Sequence, residues 1–120
     1  MASCKVYNGL VEFAGHVEQE GGYYNIYRGW TDFVGRIEQE GGYYTVYHAG
    51  VQSAGRVTLE GGIYKVYHDW THWVGHLRRE NTQYRVYRGW TSLVGFVELE
   101  EAAQTNPLLL SGGAALLLLL

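Results

Sequence analysis

Hydrophobic and polar positions recur along residues 4 to 101 with a period of twenty, in five copies without insertion or deletion, the fifth lacking only its last two positions. The copies begin at Cys4, Tyr24, Tyr44, Tyr64 and Tyr84. The third position is always β-branched (Val6, Ile26, Val46, Val66, Val86) and the fourth always tyrosine (Tyr7, Tyr27, Tyr47, Tyr67, Tyr87). The twelfth is always glycine, from Gly15 to Gly95, the fourteenth always aliphatic, from Val17 to Val97, and the seventeenth always glutamate, from Glu20 to Glu100. Identity at such fixed spacing marks a repeat architecture. Within a unit, VGRIEQE and YYTVYH are rich in β-branched and aromatic residues and are joined by Gly41 and Gly42, which predicts two strands and a tight hairpin turn. The same turn recurs at Gly21-Gly22 and Gly61-Gly62, while the fourth carries Asn81-Thr82, where asparagine tolerates the left-handed region.

A two-residue turn fixes the register. Val17 then faces Ile26, Ile37 faces Val46, Val57 faces Val66 and Leu77 faces Val86, which makes this face the core. The opposite face sets His16 against Tyr27, Arg36 against Tyr47, Arg56 against Tyr67 and His76 against Tyr87. Four hairpins leave a strand over at each end of the repeat region. The same register matches them, with Val97 on Val6, Phe96 on Tyr7 and Glu98 on Lys5, so pairing first with last removes both exposed edges. The fold expected is therefore all-β: five 20-residue β-hairpin repeats in a closed pseudo-five-fold ring. An ordinary ten-stranded barrel encloses more space than valines fill, so the hairpins are expected to stand as petals around the axis. Trp30, Trp70 and Trp90 then wedge between neighbours as packing anchors, and the third copy, with Ala49-Gly50-Val51 in place of Gly-Trp-Thr, leaves one sector underfilled.

The pattern Y-x-V-Y, a short loop, V-G-x-V-E and Gly-Gly resembles the small repeat proteins called β-flowers, built of four or five hairpins around an axis. The likeness covers residues 4 to 101. It implies a fold and transfers no activity or catalytic residue. A fainter likeness to hairpin repeats of the MORN type fails on their longer period.

Composition sharpens this picture. Glycine (17 residues) and tyrosine (11 residues) are concentrated at a few positions of the unit, and 15% aromatic content with one proline suits strands and turns. A net charge of −3 leaves no footprint for nucleic acid. One cysteine, Cys4, excludes an internal disulfide and a cysteine-based zinc site, and reads as a packed thiol. No G-x-S-x-G, H-E-x-x-H or phosphate-loop motif is present, so no catalytic residue, cofactor or metal is assigned and the protein is expected not to be an enzyme. His68, Asp69, His72 and His76 would align as ligands on a helix, but the repeat places His68 and His76 on opposite faces of strands.

Two constellations remain as candidate binding sites. The fifth positions, Asn8, Arg28, His48, His68 and Arg88, lie on the core face opposite the small twelfth-position glycines and converge at one mouth of a closed ring. They form a polar, mildly basic collar suited to a small anion. Cys4, Tyr24, Tyr44, Tyr64 and Tyr84 ring the other mouth. The second candidate is the outer aromatic face of Tyr7, Tyr27, Tyr47, Tyr67 and Tyr87, since such rings stack on sugars and anchor protein interfaces.

After Pro107 the chain becomes PLLLSGGAALLLLL, unlike the repeats. The division expected is 1–101 for the repeats, 102–107 for a linker and 108–120 for an apolar tail. Its 13 residues are too few for a spanning helix, so it reads as a disordered, membrane-seeking or truncated segment that adds nothing to the core. No signal peptide is visible, which points to a cytoplasmic or membrane-associated setting. The function expected is a binding or scaffold module for a glycan, small anion or protein, the alternative being a structural protein tethered to a membrane by its tail.

Overall fold

The computed structural model describes residues 2–50, 52–69, 71–100 and 106–120. Ten strands, β1 (Ser3–Asn8), β2 (Glu12–Glu20), β3 (Tyr23–Arg28), β4 (Asp32–Glu40), β5 (Tyr43–His48), β6 (Ser53–Glu60), β7 (Ile63–Tyr67), β8 (Trp73–Glu80), β9 (Gln83–Arg88) and β10 (Ser92–Leu99), precede one helix, α1 (Pro107–Leu118). Each strand pairs antiparallel with its neighbours in sequence, and β1 pairs with β10, so the sheet closes into a barrel. Closure uses the register expected from the sequence: Val6 opposite Val97, Tyr7 opposite Phe96 and Lys5 opposite Glu98. The hairpins likewise set Val17 on Ile26, Ile37 on Val46, Val57 on Val66 and Leu77 on Val86. Their turns start in the left-handed region at Gly21, Gly41 and Gly61, and Asn81 adopts it too, at φ 59°.

The links between hairpins, β1 to β2 and onward, each carry a register shift beside the fourth-position tyrosine. There the eleventh residue is skipped and the twelfth-position glycine comes to face the third-position Val or Ile. These bulges sharpen the local bend that a barrel requires. A side chain at the glycine has no room, because a Cβ at Gly15, Gly35, Gly55, Gly75 or Gly95 would strike the carbonyl oxygen of Tyr27, Tyr47, Tyr67, Tyr87 or Tyr7.

The structure corrects two expectations, that the hairpins stand as petals and that the tail adds nothing to the core. The hairpins form one barrel, and α1 fills it. Asn106 caps α1 by accepting from the Leu108 and Leu109 amides at 3.0 and 3.3 Å, and Pro107 sits in the first turn, where its missing N–H costs nothing. The helix is apolar on every side, as a helix buried on every side must be. Leu109, Leu110, Ala114, Ala115 and Leu116 are buried in one cluster with the barrel valines. Gly112 lies over Val17 and Ile37, and Gly113 over Val97 and Val6, so the Ser-Gly-Gly break lets the helix pass the β-branched waist. Beyond it the leucine run meets the ring of glycines. One δ-carbon from each of Leu116, Leu117, Leu118, Leu119 and Leu120 reaches Gly15, Gly95, Gly75, Gly55 and Gly35 respectively, within 2.7 to 3.2 Å of where a Cβ would stand. Five consecutive leucines thus occupy five glycine sockets, one per repeat. Of the expected linker 102–107, positions 102–105 lie outside the described residues. No helix among the described residues is long and apolar enough to cross a membrane.

Candidate functional site

Of the fifth-position residues, Asn8, Arg28, His48, His68 and Arg88 are all exposed at the end of the barrel where the leucine run emerges. Two of them turn to the helix. Arg28 Nη2 donates to the main-chain oxygen of Leu120, and Arg88 Nη2 donates to that of Leu117 at 3.5 Å. Cations at a helix C-terminus meet its unpaired carbonyls and its negative dipole end. At the other mouth Asn106 Nδ2 donates to Tyr24 Oη at 3.2 Å. Cys4 is buried there with Sγ 3.5 Å from the Leu109 carbonyl, and burial pushes its thiol up to about 12.

The fourth-position tyrosines are mostly half-buried and carry defined partners on the outer face. Tyr27 Oη donates to Glu20, Tyr47 Oη to Glu40 and Tyr87 Oη to Glu80, within 2.6 Å. These bonds push the Tyr27 and Tyr47 phenols up to about 12 and hold Glu20 and Glu80 below the usual carboxylate range. They join the fourth-position tyrosine to the seventeenth-position glutamate of the preceding copy at these three places, a pairing that sequence reasoning missed although both invariant positions were in view. The ring faces are covered as well: the Arg36 guanidinium lies 4.6 Å from the Tyr47 ring centroid and that of Arg56 4.3 Å from Tyr67, while His16 stacks on Tyr27 and His76 on Tyr87. Tyr7 stacks on Phe96 at 4.6 Å.

The thirteenth position has a second task. His16 Nδ1 is 3.0 Å from the Gly29 carbonyl, Arg36 Nη1 2.6 Å from that of Gly50, and His76 Nδ1 3.0 Å from that of Gly89. A carbonyl only accepts, so each of these side chains donates and pins the loop of the following repeat. The pinned loops carry Trp30 and Trp90. Trp30 stacks on Phe13 at 4.4 Å and lies 5.4 Å from His16, with Lys5 Nζ 5.9 Å from its centroid. Trp90 lies 4.6 Å from Trp73 and 5.1 Å from His76, with Lys65 Nζ 5.8 Å away. The same positions of the unit build both groups: lysine, an aromatic ring, histidine, then tyrosine and tryptophan of the next copy. Although their inner faces are packed, Trp30 is 62% exposed and Trp90 52% exposed. Trp70 lies outside the described residues.

An open cavity of about 310 Å³ is lined by Thr45, Ser53, Gly55, Arg56, His68 and Asp69. It falls where the third copy carries Ser53 against Phe13, Phe33, Trp73 and Leu93 in the others, so the underfilled sector traces to this serine as well as to the loop that has Gly50 in place of a tryptophan. Asp69 accepts from the Thr71 and His72 amides at 2.9 and 2.7 Å, which holds its carboxyl below the usual range. His68 lies at the barrel mouth and His76 is buried on the outer face, and no group of three or more metal-ligating side chains occurs among the described residues. No protein-family model, no curated protein and no solved structure matches the chain.

Proposed function

We propose that this chain is a non-enzymatic binding module that recognises saccharides through the exposed tryptophans of its outer face. The observation that carries this reading is the repeated group of Lys5, Phe13, His16, Tyr27 and Trp30, matched by Lys65, Trp73, His76, Tyr87 and Trp90. In each, an indole is held from below by neighbouring rings, stacked on Phe13 or tilted on Trp73, and offers its outer half to solvent beside a cation. An exposed aromatic plane with polar groups at its edge suits the apolar face and hydroxyl rim of a sugar ring, and two such planes favour multivalent attachment. The barrel interior supports a surface role, since α1 fills it. The basic collar is less suited to a free anion than its composition suggests, because Arg28 and Arg88 bond the end of α1. A role as a membrane-tethered protein would require α1 to leave the barrel. The β-flower likeness belongs here too: the five-copy register and the closed ring support a pseudo-five-fold assembly of that kind.

Intrinsic tryptophan fluorescence during titration with cellotriose, maltotriose and galactotriose tests the reading. The expected result is saturable quenching by at least one trisaccharide, with Trp30→Ala and Trp90→Ala each removing part of it and the double variant all of it. Undiminished binding by the double variant, or no binding by the native chain, overturns the reading, and the latter turns the surface toward protein partners.

A further inference from the structure

The two tryptophan groups differ at one point. Trp73 Nε1 and His76 Nε2 are both buried, and neither finds a hydrogen-bond partner among the described residues. Buried polar atoms are rarely left unpaired, and each calls for an explanation. Their chemistry is complementary. The indole N–H only donates, and because His76 Nδ1 donates to the Gly89 carbonyl, Nε2 of the neutral ring carries a lone pair. The two rings lie nearly parallel, 17° apart with centroids at 6.3 Å, and Trp90 covers both from the solvent side. A hydroxyl, which accepts and donates at once, is the smallest organic group that satisfies such a pair.

The first group makes no such demand. Phe13 stands where Trp73 stands and has no N–H, so the donor of the pair is missing there. A buried donor and a buried acceptor left unpaired side by side are therefore a feature of the Trp90 group and not of the Trp30 group.

We infer that Trp73 and His76, beneath Trp90, read a single hydroxyl of a neutral saccharide, which accepts from Trp73 Nε1 and donates to His76 Nε2 while the sugar ring lies against Trp90. This inference rests on the saccharide reading above. For the hydroxyl to reach the pair, Trp90 gives up part of its contact with Trp73 and His76.

The test follows the indole ¹H–¹⁵N signals of the full chain during titration with the same three trisaccharides, beside Trp73→Phe and Trp90→Ala. Trp73→Phe removes the donor and keeps a ring, and Phe13 and Phe33 occupy the same position of their copies. The expected result is a shift and slowed hydrogen exchange of the Trp73 indole N–H at saturation, with roughly ten-fold weaker binding at this group in Trp73→Phe and none in Trp90→Ala. If Trp90→Ala abolishes binding at this group while the Trp73 indole signal stays in place or Trp73→Phe binds as the native chain does, the pair holds only water. The hydroxyl inference then falls while the saccharide reading stands. If no trisaccharide binds the native chain, both fall. Should Trp73→Phe not fold, the indole signal of the native chain decides alone.

Discussion

At Gly15 a methyl group would stand inside contact distance of the Tyr27 carbonyl and 2.7 Å from Leu116 Cδ2, and at Gly95 it would meet the Tyr7 carbonyl with Leu117 Cδ1 at 2.8 Å. The carbonyl is sheet backbone that cannot give way, and the leucine end already fills the remaining space. Gly15→Ala or Gly95→Ala is therefore expected to cost about 3 kcal/mol in denaturant unfolding through overpacking. Gly29→Ala, at φ 63° in open space, should cost only about 1 kcal/mol of backbone strain. Equal losses at the two kinds of site would show that the sockets are not tight. His76 gives a pH signature at the same scale. Burial holds its pKa below the ordinary histidine value, Arg78 and Lys65 push the same way, and the Gly89 carbonyl and Glu80 oppose them. Between the lowered folded value and the unfolded value of about 6.5, the unfolded chain binds more protons, so stability rises with pH there. The contribution is present above the unfolded value and is lost as pH falls through the folded one. The denaturation midpoint of the native chain should fall between about pH 7.5 and about pH 5 by more than that of His76→Phe, a substitution that puts at this position the residue Phe96 already supplies in the fifth copy. Identical pH profiles would remove His76 as the cause.

The hairpins and α1 differ in how far the sequence reveals them, and the reason is physical. A period-two pattern with a two-residue turn leaves one register that buries the aliphatic residues, and the leftover strands then match each other at Val6 and Val97, so the closed sheet could be written down residue by residue. The helix carries no such internal constraint. A segment apolar on all sides reads alike whether lipid, protein or neither surrounds it, and only its fit to the barrel decides. Local signs were present: Asn106 before Pro107 is a helix start, Ser111-Gly112-Gly113 is slim where the waist is narrow, and five leucines match five glycines. The candidate site was legible to a similar degree. The tyrosine face and the loop tryptophans follow from the alternation, whereas the attachment of Arg28 and Arg88 to α1 and the unpaired atoms of Trp73 and His76 depend on contacts that no spacing announces. Asn106→Ala tests the start of the helix. It removes the cap and the bond to Tyr24, and is expected to cost about 1 kcal/mol without changing the β-sheet signal in circular dichroism. No loss would mean that packing alone holds the first turn.

Closing ten strands into one ring sets a diameter that the inward valines do not fill by themselves, and an α-helix about 10 Å across is an element of the right thickness to fill it. The dimensions agree along the axis as well. The chain measures 32 × 32 × 22 Å, and a helix of the length of α1, at 1.5 Å per residue, spans roughly 18 Å. Sheet and helix are therefore one cooperative core: the sheet supplies hydrogen bonding and enclosure, and the helix supplies volume. Each leucine fully buried in such a core is worth about 2 to 5 kcal/mol by truncation, and a domain of this size holds only about 5 to 15 kcal/mol of net stability. Leu109 and Leu110 alone, both essentially inaccessible, approach that margin. A version ending at Glu101 is accordingly expected to lose its cooperative melting transition and to bind the dye ANS, while the full chain melts cooperatively and stays dark. Leu110→Ala should fall between them, destabilised by about 2 to 5 kcal/mol. A shortened chain that melted at the native temperature without binding dye would mean that the ring stands empty and that α1 is a guest in it rather than part of its core.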